Sequence, residues 1–249
     1  MTLTADTGLT ATDFFCGMGG SSTGLTRAGF TSGSLFAGYG GLHRGVEAVF
    51  GARLAWVSDI PQYDAKGVLV GNAPAILAHR YPGVPNLGDI TTVDWSQVKP
   101  VDIIDGGSPC QDVSTAGKRA GMVDGTRSNL WVAMRDAIAT IKPAYVIWEN
   151  VRGALSAPAA SAMESDPGLL GDHRGVALRA AGRVLGDLAD LGFDAEWEGL
   201  RAADVGAPHG RWRVFVLAAH PERVARLERL FTSGPPPWAR RAETPRRDR

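Results

Sequence analysis

The sequence predicts an α/β protein: a doubly wound sheet with helices on both faces. Three observations carry this. Near the start, a short apolar run twice passes into closely spaced glycines and a helical pattern, at 12–30 and again at 33–50. The second copy is followed at once by another apolar run, 52–60, with Asp59 at its tip. Two later apolar runs, 101–105 and 144–150, lead into residues that carry chemistry. Strand, glycine turn, helix and strand in that order form the βαβ unit of a parallel sheet.

The bulk numbers agree with a folded domain and narrow its setting. At 249 residues, the chain suits one large domain, or one with a small companion. It is 44% hydrophobic and 21% charged, enough to build a core. The formal net charge is zero, so contact with nucleic acid must come from local patches rather than a global field. Two cysteines, Cys16 and Cys110, make no disulfide framework and fit a reducing compartment. No apolar run reaches the roughly eighteen residues that a membrane span needs. The first ten residues also lack the pattern of a secretory signal, so a cytoplasmic protein with no membrane partner is expected.

In chain order, Phe14-Phe15-Cys16 leads into Gly17, Gly19, Gly20 and Gly24, and Ser34-Leu35-Phe36 leads into Gly38, Gly40, Gly41 and Gly45. Such turns let backbone amides approach a nucleotide-like ligand. Only the second copy has a following strand with an acid, and Asp59 would sit where a ribose can be hydrogen-bonded. Residues 33–60 are therefore read as the working unit and 1–32 as a partial, loosely ordered duplicate. A loop or hairpin is expected at 61–73, a helix at 73–82 and a short strand at 86–91 with Asp89 at its exit.

Strand 101–105 then delivers Gly106-Gly107-Ser108-Pro109-Cys110. Pro109 stiffens the turn and restricts Ser108, which holds a thiol at a sheet edge, a nucleophile's position. The glycine-rich stretch 114–129 reads as a lid or a solvated connector. Apolar residues at helical spacing predict a helix over 127–142, stopped by Pro143. Strand 144–150 ends in Glu149-Asn150, and a carboxylate beside a thiol-bearing strand end suits general-acid work, or else caps the next helix. A loop at 153–172, a helix at 174–192 and strands at 194–201 and 214–218 follow. Arg211 and Arg213 flank Trp212, so alternation places both guanidiniums on one face, for a carboxylate, phosphate or base edge, or for a plain salt bridge. From 221 onward there are 8 arginines against 4 acids, and the stretch 220–249 reads as a short helix-like piece, then Pro-Pro-Pro, then an arginine-rich tail.

Taken together, the glycine loop at 33–42, Asp59, Gly-Asp-Ile-Thr at 88–91, Gly-Ser-Pro-Cys-Gln at 107–111, Trp-Glu-Asn-Val at 148–151 and Arg-Trp-Arg at 211–213 resemble, in order, the blocks of DNA cytosine-5 methyltransferases. The resemblance runs over about 33–219, taken as the catalytic domain. It implies a Rossmann-like methyltransferase sheet, S-adenosylmethionine as cofactor, a flipped cytosine in DNA as acceptor, and no metal. Phe36, Ala37, Gly38, Gly40 and Gly41 are similar to the cofactor loop. Asp59 with Ile60 is similar to the ribose-binding acid and its neighbour, and Asp89 with Ile90 to the pair near the adenine. Cys110 matches the nucleophile, Glu149 the acid at the cytosine N3 edge, and Arg211 and Arg213 the arginine pair of a Gln-x-Arg-x-Arg block, in which His209 replaces the Gln. A target-recognition domain and the family's closing segment are not found in the sequence. That leads to the expectation of a separate specificity subunit. An inactive cofactor-binding remnant and a non-catalytic DNA-binding module are the competing readings.

Overall fold

In the computed structural model, residues 29–108, 130–156, 158–159 and 178–232 are described. Strand β1 (Thr31–Leu35) leads through a glycine turn into helix α1 (Gly41–Phe50), and β2 (Arg53–Ser58) follows. Left-handed glycines bound α1: Gly40 at its N-cap (φ 77°) and Gly51 at its C-cap (φ 60°), whose N–H donates to Glu47 O. The next stretch makes the hairpin β3 (Gln62–Tyr63) and β4 (Leu69–Gly71), then α2 (Ala73–Arg80). Helix α2 starts where Asn72 Oδ1 accepts the Ala75 N–H, with Pro74 in its first turn.

The predicted strand at 86–91 shrinks to a single parallel bridge between Val57 and Asn86. Gly88, at φ 78°, turns the chain before a ladder can grow. Strand β5 (Ile103–Gly106), helix α3 (Leu130–Ile141) and strand β6 (Tyr145–Val151) come next. A short pair, β7 (Pro158–Ala159) with β8 (Leu178–Arg179), precedes α4 (Ala180–Asp190). The helix expected from 174 thus begins at Ala180. Strands β9 (Asp194–Arg201) and β10 (Trp212–Ala219) and helix α5 (Pro221–Thr232) complete the described chain. The first strand begins at Thr31, and the helix-like piece read after 219 forms α5.

The main sheet has six strands in the order β2-β1-β5-β6-β10-β9. All neighbours are parallel except those of β10, which runs antiparallel to both β6 and β9. The link from β9 to β10 is too short for a crossover helix, so the chain reverses instead. On one face, Leu35, Trp56, Ile104 and Trp148 pack with Trp131, Met134 and Ile138 of α3 and Val184 and Leu188 of α4. On the other, Phe30, Ile103 and Tyr145 pack with Val46 and Phe50 of α1 and with Val224 and Leu227 of α5. Helices cover both faces, as a sheet apolar on both sides requires. No helix among the described residues is long and apolar enough to cross a membrane.

Candidate active site

Four parallel strands end side by side. Register pairs Ser58 with Leu35, Leu35 with Gly106, and Gly106 with Trp148. The next residue on each strand is therefore Asp59, Phe36, Gly107 or Glu149. One row at the carboxyl edge of the sheet carries a carboxylate at each end and glycine-rich turns between them. Ligands of open α/β sheets bind at such an edge.

At the β1–β2 end, Phe36 turns the chain with a left-handed φ of 52°, and its N–H donates to Ser58 O at 2.9 Å. Gly38 and Gly40 are also left-handed, at 54° and 77°. Gly38 N–H donates to Asp59 Oδ2 at 2.7 Å, and Ile60 N–H donates to Asp59 Oδ1 at 2.7 Å. Asp59 is half-buried, and desolvation pushes its carboxyl above the ordinary carboxylate value, offset by those two N–H groups. Asn86 clamps the same residue: its Oδ1 accepts Asp59 N–H, and its Nδ2 donates to Asp59 O. Arg80 Nη1 donates to Tyr39 O at 2.5 Å and pins the crest of the glycine loop. A Cβ on Gly38 or Gly41 would meet no atom within 4 Å, so the loop's outer side is open.

Asp89 is exposed and uses Oδ1 to accept from Thr91 N–H and Oγ1, at 2.9 and 2.7 Å. Ile60 is 47% exposed beside Asp59, whereas Ile90 is buried in the core. Ala37 packs partly against the cluster of Leu54, Val57, Ala73 and Leu77.

At the β5–β6 end, Ser108 is gripped from the neighbouring strand. Trp148 Nε1 donates to its Oγ at 3.0 Å, and Asn150 Nδ2 donates to its carbonyl at 3.3 Å. Gly107 lies so close to Glu149 that a Cβ there would stand 2.9 Å from Oε2. Cys110, two residues beyond Ser108, lies outside the described residues, as does 114–129. Glu149 is paired with Arg213, Nε to Oε1 at 2.6 Å, with both side chains about three-quarters buried. Arg213 also donates from Nη1 to Trp212 O.

The structure separates the two arginines. Arg213 lies within β10 and meets the acid, whereas Arg211 precedes the strand, is exposed, and its N–H donates to His209 Nδ1. Strand alternation therefore starts one residue too late to align them. Ser108, Asn150 and Asn86 escaped the sequence reading. Asn150, beside the strand-end acid, offered the one usable signal. Among the described residues, no group of three or more His, Cys, Asp or Glu could hold a metal.

An open α/β sheet thus carries a glycine loop with an adjoining half-buried acid, and a second acid paired with arginine, along one edge. The chain belongs to the C-5 cytosine-specific DNA methylases, whose family model matches residues 30–237. The type II methyltransferase M.NlaX of Neisseria lactamica is 29% identical over 184 residues, 74% of this chain and 50% of that protein. M.HgiBI of Herpetosiphon aurantiacus is 32% identical over 184 residues, 74% of this chain and 36% of its own. A DNA N-6-adenine-methyltransferase of Escherichia phage P1 is 35% identical over 136 residues, 47% of this chain and 17% of that one. The chain spans half or less of the length of these relatives. The fold is shared with the crystal structure of an E. coli prophage-encoded protein described as a DNA modification methyltransferase. That match has a TM-score of 0.51 at 18% identity, over 78% of this chain and 47% of that one.

Proposed function

We propose that this chain carries the catalytic part of an enzyme that methylates C5 of cytosine in DNA through a covalent adduct at Cys110. The row Asp59–Phe36–Gly107–Glu149 supports this reading, because it aligns the glycine loop and its acid with a second acid two strands away along one sheet edge.

The residues present fit S-adenosylmethionine. The open side of Gly38 and Gly41 leaves room for the ligand's body against the loop. Each oxygen of Asp59 already accepts one N–H and has capacity for a hydroxyl donor such as those of a ribose. Phe36, Ala37, Gly38, Gly40, Gly41, Asp59 and Ile60 would hold it, with Asp89 and Ile90 toward the base. When bound, the cofactor supplies a methyl group activated by a positive sulfonium.

The remaining work belongs to the protein and the DNA. The target cytosine must leave the duplex, since its C6 and C5 are out of reach within the stack. The Cys110 thiolate adds to C6, and the electron density gained at C5 makes that carbon nucleophilic. Glu149 hands a proton to N3 and so neutralises the charge developing there, while Arg213 fixes the orientation of Glu149. Once C5 has taken the methyl group that the sulfonium would supply, loss of the C5 proton to a base re-forms the C5–C6 double bond, expels the thiolate and returns the N3 proton to Glu149.

Trapping on DNA that bears 5-fluorocytosine tests the adduct. A species stable to denaturant is expected with the unaltered chain and not with Cys110→Ser. Equal trapping by the variant would place the nucleophile elsewhere.

A further inference from the structure

We propose that His43 and Asp105 are positioning residues that hold the cofactor loop from beneath, and this rests on the reading of that loop given above. Asp105 is the third residue of β5 and is fully buried. Its Oδ1 accepts from Ser34 Oγ at 2.7 Å. Its Oδ2 lies 3.3 Å from His43 Nδ1, and Ser32 Oγ lies 3.4 Å from the same nitrogen. His43 is 1% exposed, in the first turn of α1.

The placement of these partners is what matters. Ser34 stands two residues before Phe36, where the loop begins, and His43 stands two residues after Gly41, where it ends. One buried carboxylate thus grips both ends of the segment 36–41. A buried acid is costly unless it is hydrogen-bonded, and Asp105 has a partner at each oxygen. The loop needs such a hold, because Phe36 adopts the left-handed backbone that a non-glycine residue disfavours. The same contact therefore ties the loop after β1 to β5.

For His43 to donate to Oδ2, Nδ1 must carry a proton. Nε2 is buried with no partner among the described residues, and so is the hydroxyl of Tyr81, whose ring stands edge-on at 5.5 Å between centroids.

Calorimetry of S-adenosylmethionine binding to the full chain, with ring 15N spectra of His43, provides the test. His43→Leu keeps the volume and removes the donor, and binding about tenfold weaker or more is expected, the scale of a small misplacement in a site. His43→Asn restores an N–H near the Nδ1 position, so affinity within about threefold of the unaltered chain is expected. If His43→Leu does not fold, Ser34→Ala removes the other donor and is also expected to weaken binding. The spectra should show a proton on Nδ1. Unchanged affinity in both His43→Leu and Ser34→Ala, equal losses in the Leu and Asn variants, or a proton on Nε2 alone would overturn the proposal. If the unaltered chain binds no cofactor, the proposed function itself fails, a result distinct from each of these.

Discussion

Asp59 stands in conflict with its surroundings: burial disfavours its charge, and two backbone N–H groups offset only part of that. Hydroxyl donors from a ribose would relieve it. Asp59→Asn should therefore weaken S-adenosylmethionine binding by about ten- to a hundredfold, measured by calorimetry. The sign of the pH effect follows. The charged form is the better acceptor, so affinity should fall as pH drops through the raised folded-state pKa. Stability of the cofactor-free chain runs the other way. The raised pKa contributes stability that is present below the ordinary value of 3.8 and is lost as pH rises through the folded-state value. At the opposite end of the row, Arg213→Ala would release Glu149. A loss of about a hundredfold in the single-turnover methylation rate is expected there, and little change for Arg211→Ala, whose side chain meets no acid in the described structure. Asp59, Glu149 and the glycine loop were legible because strand-end acids and glycine turns leave marks in linear order. The choice between Arg211 and Arg213 was not, since it depends on where β10 starts. The Asp105–Ser34–His43 contact was also hidden, because its members are scattered over three elements and look polar in isolation.

Elements were read well where the pattern was long and apolar. The strands β6 and β9 and the helix α3 fall within a few residues of expectation. The reading failed where one residue overrode the pattern, as Gly88 does in 86–91. The stretch after 219 does open with the helix that was read there, but its partners were not legible. There Arg223 donates from Nη1 to Pro143 O and lies over the Phe193 ring, while Val224 and Leu227 pack on the sheet. Removal of residues 221–249 should lower stability by about 2–4 kcal/mol in denaturant unfolding, the scale of two or so apolar side chains returned to water. Within β1, Gly33 is required by packing, because a Cβ there would overlap the Trp56 ring. Gly33→Ala should cost about 1–3 kcal/mol in the same experiment, as overpacking of a core does.

At the scale of the whole molecule, the sheet order places the glycine loop after β1 and Glu149 on β6 two strands apart, with β5 between them. That order could not be read from the sequence, since parallel neighbours come from crossover geometry rather than from local pattern. The second glycine copy has its acid and its sheet, so deletion of residues 1–28 should leave cofactor affinity unchanged in calorimetry. A collapse of binding would assign the pocket to the first copy. The central claim concerns the atom that receives the methyl group, and mass spectrometry of nucleosides from DNA methylated by the protein reads it directly. The account requires 5-methylcytosine, lost when Cys110 is changed to Ser. N6-methyladenine in its place, or 5-methylcytosine undiminished by that substitution, would contradict it.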